Sequence, residues 1–144
     1  MDINKEIQAA MLAKDSVRLA SLRAIKTAFM MAETEKGAGN LTIERQLKII
    51  QKQVKQRKDA AAIYQEQGRT DLAEDEMAQV VVLESFLPEQ MSKEDIENVV
   101  KDIIADLGAS SMADMGKVMG VASKQLSGQA DGKVIAAKVR KLLV

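Results

Sequence analysis

Residues 42–68 read TIERQLKIIQKQVKQRKDAAAIYQEQG, and within them Ile43, Leu47, Ile50, Val54, Ala61 and Tyr64 recur at intervals of three, four and seven. Side chains so spaced line one side of a 3.6-residue turn, so the stretch is an amphipathic helix. Thr42 is placed to cap its start, and Gly68 suits the residue that ends it. This is the most periodic piece of the chain, and it sets the expected fold class.

The neighbouring sequence repeats the pattern. Upstream, Ile3, Ile7, Ala10 and Met11 share one face, and Asp15 or Ser16 can cap a helix carrying Leu19, Leu22, Ile25 and Phe29; one helix or two fit this region equally. Gly37-Ala38-Gly39-Asn40 supplies a turn. Downstream, Asp71 and Glu74 have capping-box spacing and open a helix through Met77, Val80, Val81, Leu83 and Leu87. Val80-Val81-Val82 is the one strand-like run, but strong helix formers flank it and it reads as helix.

Pro88 is the only proline, and it biases Leu87 away from helix, which marks a lobe boundary. Beyond it, Ser92 with Asp95 opens a helix with Ile96, Val99, Val100, Ile103 and Leu107 that should stop at Gly108. Ser111 with Asp114 opens a second, holding Met115, Val118, Met119 and Leu126, which Gly128 can end. Asp131 caps a third through Ile135, Val139 and Leu142. The expectation is an all-α chain: a bundle of three to four helices over 1–88, then a small three-helix lobe over 89–144.

Composition removes several chemistries. There is no Cys and no His, which excludes disulfides, thiolate sites and the commonest general base, so no catalytic residue, metal or cofactor is expected. Met1 opens a mixed-charge stretch with neither a signal-like apolar region nor a run long enough to span a bilayer, so the expected location is cytoplasmic, away from membranes. The formal net charge of zero hides blocks: residues 1–58 carry 12 basic against 6 acidic side chains, 59–100 carry 2 against 11, and 101–144 carry 7 against 4. Basic ends of this kind suit an anionic partner.

The residues also match a known pattern. Lys52-Gln53-Val54-Lys55-Gln56-Arg57-Lys58, Tyr64, Gly68-Arg69, Asp71-Leu72-Ala73-Glu74, Leu87-Pro88 and Gln90 stand in the order of the GatB/YqeY family. Asp114-Met115-Gly116-Lys117-Val118-Met119-Gly120 and Ala130-Asp131-Gly132 continue it, so the chain resembles that family over nearly its whole length. The resemblance implies a YqeY-type bundle followed by a lobe similar to the tail of the GatB subunit of the tRNA-dependent amidotransferase. There the tail helps hold tRNA, while carbon–nitrogen ligase chemistry, with glutamine as amido donor, belongs to other domains. The implied partners are therefore tRNA and a tRNA-linked enzyme. One position departs: the family pattern implies an arginine before Ala130, where this chain has Gln129, which removes a fixed positive charge from that turn.

Two basic groups are candidates for RNA contact; DNA is not expected. Lys48, Lys52 and Lys55 lie at i, i+4 and i+7 of the long helix, with Arg57 and Lys58 beside them. In the second lobe Lys117, Lys124, Lys133, Lys138, Arg140 and Lys141 surround two glycine-bearing turns, where helix N-termini offer backbone donors to phosphate. Against this, a solvated helix face carries lysines near its neighbour's acids, and cations suit a helix C-terminus. With only Phe29, Tyr64 and Phe86 as aromatics, base stacking cannot carry recognition, which leaves shape and phosphate.

Other motifs read as structure. Gly116-Lys117 and Gly132-Lys133 lack the remaining parts of a phosphate-binding loop, and Gly116 with Gly120 suits close approach of a neighbouring helix. The acids Asp71, Glu74, Asp75 and Glu76, like Glu94, Asp95 and Glu97, belong to the first turns of helices, where they complement the dipole. Met112, Met115 and Met119 read as core packing. A helical adaptor whose acidic middle segment docks a basic protein is the other reading the charge blocks allow.

Overall fold

In a computed structural model, which describes residues 2–35, 37 and 39–144, the Thr42 hydroxyl accepts the Arg45 N–H at 3.2 Å and starts a helix of 24 residues. This is α3 (Ile43–Glu66), and the described residues form seven α-helices and no strand. The others are α1 (Ile3–Leu12), α2 (Ser16–Glu33), α4 (Thr70–Glu84), α5 (Lys93–Leu107), α6 (Met115–Gln125) and α7 (Gly132–Leu143). The all-α class expected from periodicity is what the chain adopts, Val80-Val81-Val82 included.

Two helices, not one, occupy the N-terminal region. The chain breaks at Lys14, whose φ of 55° is left-handed, and the Asp15 carboxylate then accepts the Arg18 N–H at 3.0 Å to open α2. In the turn expected at 37–40, Ala38 lies outside the described residues; Gly37 and Gly39 on either side have φ of 78° and 59°.

The capping box at Asp71 does not form. Gly68 is left-handed at φ 73°, and the Arg69 N–H reaches back to the Tyr64 carbonyl at 2.8 Å while Gly68 donates to Gln65 at 3.1 Å. That Schellman pattern closes α3 so tightly that α4 begins at Thr70, with Arg69 at the cap position and no side-chain cap bond. Asp71 falls inside the first turn, where its charge meets the helix dipole instead. The box at Ser111 is also only half made. Its hydroxyl caps nothing, whereas the Asp114 carboxylate accepts the Ser110 N–H at 3.0 Å across a 3-10 turn over Met112–Asp114, so α6 starts late. It also ends early, at Gln125, with Gly128 in the following turn.

The chain divides into two compact units, Met1–Leu87 and Pro88–Val144. In the first, Leu22, Ile25, Phe29, Ile50, Val54, Val80 and Leu83 form the core, with Phe86 and Leu87 against it. Ile43 and Val81 share the apolar patterns but stay exposed, Ile43 in the first turn of α3 and Val81 on the flank of α4. In the second, Ile96, Val100 and Ile103 of α5 meet Val118 and Ala122 of α6, Leu126, and Ile135, Val139 and Leu143 of α7. Met115 and Met119 pack on this core, while Met112 is 43% exposed. The Gln90 side chain ties the start of this unit to the α6–α7 turn by donating to the Gly128 carbonyl at 2.6 Å, and Met91 N–H donates to Gln129 at 3.0 Å.

Candidate functional site

The candidate cations of the second unit fall into two groups once the helices are placed. Ile135 and Val139 turn one side of α7 to the core, which brings Lys138 and Lys141 to α5. There both ammonium groups donate to Glu97, each at 3.2 Å, and Lys138 and Glu97 keep only 19% side-chain exposure. These two lysines therefore clamp α7 to α5. The hydrogen bond from Lys138, then that from Lys141, holds the Glu97 carboxyl below its ordinary pKa.

A titration follows from that shift. A depressed folded-state pKa gives stability that is fully present above the unfolded value and drains away as pH falls through the folded one. Melting from about pH 5 to about pH 3 should therefore cost the parent more than Glu97→Gln, which has no carboxylate left to protonate. Equal acid sensitivity in the two proteins argues that the clamp contributes nothing.

Lys117, Lys124 and Lys133 are different. All three are exposed, and among the described residues none forms an ion pair. Lys117 and Lys124 are seven residues apart and so emerge from one side of α6. Arg140 is exposed as well, with its Nε 3.4 Å from the Ala136 carbonyl of its own helix. Of the two helix N-termini expected to offer backbone donors, that of α7 is capped by the Asp131 carboxylate, whereas α6 has no side-chain cap and Asp114 turns back to the segment before it. Asp131 accepts the Lys133 N–H at 3.0 Å, and Asp114 is held below its ordinary pKa first by the Ser110 N–H, then by Ser111 and by the charge of Lys117.

The basic stripe of α3 is partly consumed, by two acids of α4 and by one of its own helix. Arg57 meets Glu76 at 3.2 Å, Lys58 meets Glu84 at 3.0 Å and Lys48 meets Glu44 at 3.6 Å. Lys52 and Lys55 remain exposed with no ion pair among the described residues. The two exposed pairs, Lys58–Glu84 and Lys48–Glu44, contribute about 0–1 kcal/mol each, so their main effect is to use up charge.

Gly116 and Gly120 do not serve a helix contact among the described residues. A Cβ added at either meets no atom within 4 Å, and both residues are exposed. Among the described residues no cluster of three or more acidic side chains is arranged to hold a metal, and no helix is long and apolar enough to cross a membrane.

The structure thus defines an all-helical protein of two units whose second unit keeps five exposed lysines, Lys93, Lys101, Lys117, Lys124 and Lys133, in no ion pair among the described residues. The chain belongs to the Yqey-like protein family, whose model matches residues 1–143. It is 26% identical over 141 residues to "Altered inheritance of mitochondria protein 41, mitochondrial" of Kluyveromyces lactis, covering 96% of this chain and 72% of that protein. It is 33% identical over 84 residues to the E subunit of the glutamyl-tRNA(Gln) amidotransferase of Thermococcus gammatolerans, covering 58% of this chain and 11% of that relative. The sequence pattern implies an amidotransferase relationship through GatB, and this match supports such a relationship through the E subunit.

Proposed function

We propose that this chain is a non-catalytic helical module that associates with tRNA by contacting its phosphate backbone, and that it works beside a tRNA-linked enzyme. The observation that carries the reading is that, among the described residues, Lys117, Lys124 and Lys133 stay exposed and in no ion pair, as do Lys93 and Lys101 of α5, whereas Lys138 and Lys141 find Glu97. The likeness to a small share of an amidotransferase subunit supports it, because a stretch of 11% fits an appended binding part better than a catalytic body. Arg140, Lys52 and Lys55 are secondary candidates, while Arg57, Lys58, Lys138 and Lys141 must exchange a carboxylate for a phosphate before they can take part. On this reading the amide-transfer chemistry belongs to the associated enzyme. A cytoplasmic location remains part of the proposal, with cell fractionation as its check.

Titration of labelled bulk tRNA with the full chain at two salt concentrations tests it. Three phosphates neutralised by lysines, each releasing its condensed counterion from the RNA, should give a log–log salt slope of about −2 to −3. No binding at low salt defeats the proposal. The acids Glu74 and Asp75 of α4, exposed and without an ion pair among the described residues, keep the adaptor reading in view; co-purification of a basic protein that survives nuclease treatment favours it instead.

A further inference from the structure

We infer that the outer face of α6 seats the sugar–phosphate backbone of double-helical RNA in direct contact with the helix main chain; this rests on the RNA-binding reading above. Around α6, at 100° per residue, Gly116, Gly120, Lys124, Lys117 and Val121 follow one another over about 140°. Every one of them is exposed, and no other element among the described residues covers the two glycines. It is an unpartnered helix face with two unpaired cations on its midline, again among the described residues.

Glycine is the poorest ordinary helix former, and neither of these two has a positive φ to justify it. A methyl group at either position has open space, so packing within the unit does not require glycine either. What the pair creates is a smooth strip where a partner can approach the main chain more closely than any side chain allows. Lys117 and Lys124 leave the helix about 10 Å apart along its axis and draw a polyanion onto that strip.

The form of RNA follows from what the unit lacks. Residues 88–144 contain no aromatic side chain, so unstacked bases of a single strand find no platform there. A double helix asks for none. It displays phosphates and 2′-hydroxyls along a shallow minor groove, which a flat cationic strip can follow by shape.

The test uses the full chain with a labelled RNA duplex of about 16 base pairs, single-stranded oligouridine of equal phosphate number, and bulk tRNA. The expected result is about tenfold tighter binding of the duplex than of the single strand. Gly116→Ala/Gly120→Ala should melt several degrees higher, because alanine favours the helix, yet bind the duplex about tenfold more weakly. A glycine variant with undiminished affinity overturns the inference, as does a lowered melting point or equal affinity for the single strand. Those outcomes leave tRNA binding intact. Loss of all binding by the parent at low salt defeats the proposed function and this inference together.

Discussion

Lys117→Glu/Lys124→Glu should bind tRNA about 100-fold more weakly than the parent, on the basis that each reversal replaces an attraction with a repulsion at about 1.4 kcal/mol. The log–log salt slope should flatten by about one unit per lysine, the signature of lost phosphate contacts. The fold should survive, because both side chains are exposed and neither is in an ion pair among the described residues. Lys124 sits in the last turn of α6, so its reversal costs some helix-dipole energy, about 0.3–1 kcal/mol. Circular dichroism separates that cost from lost binding. The matched comparison is Lys52→Glu/Lys55→Glu on α3, which changes charge equally in the other unit and should cost only a few-fold. If the α3 pair abolishes binding and the α6 pair leaves it within twofold, the interface has been assigned to the wrong unit.

That comparison is needed because a lysine's partner cannot be read from its neighbours in sequence. Thr42, Asp15, Ser92 and Asp131 were legible as caps, since each bonds a backbone N–H two or three residues away and the whole device lies in one short stretch. The apolar period placed the cores for a similar reason, as burial repeats every turn. The start of α4 was not legible, because two devices competed. The Gly68 turn and the Asp71 box overlap, and the turn won by satisfying two α3 carbonyls at once. The site fared worse. Lys138 and Lys141 look like Lys117 and Lys124 in sequence, but Glu97, some forty residues upstream, takes the first two and leaves the others exposed. Gly116 and Gly120 misled in the other direction, since their spacing suggests a covered helix contact and the structure leaves them open.

Leu126→Ala should unfold the second unit outright and abolish tRNA binding with it. Leu126 is 2% exposed, sits just beyond α6, and joins the core that α5 and α7 also feed through Val100, Ile135 and Val139. Truncating a buried leucine costs about 2–5 kcal/mol, from lost transfer energy and the cavity left behind. A core this small rarely supplies more than about 3–5 kcal/mol of net stability, so the loss is comparable to everything the unit has. Leu126→Met keeps the volume and should cost under about 1.5 kcal/mol, retaining both fold and binding. The measurement is thermal melting by circular dichroism, with loss of the helix signal of α5, α6 and α7 expected at room temperature for the alanine variant alone. An alanine variant that melts within about 2 °C of the parent would mean this core is not what holds the unit together. A variant that unfolds the unit yet still binds tRNA with parental affinity would do more damage, because lysines arrayed by α6 and α7 act as a surface only while those helices are packed.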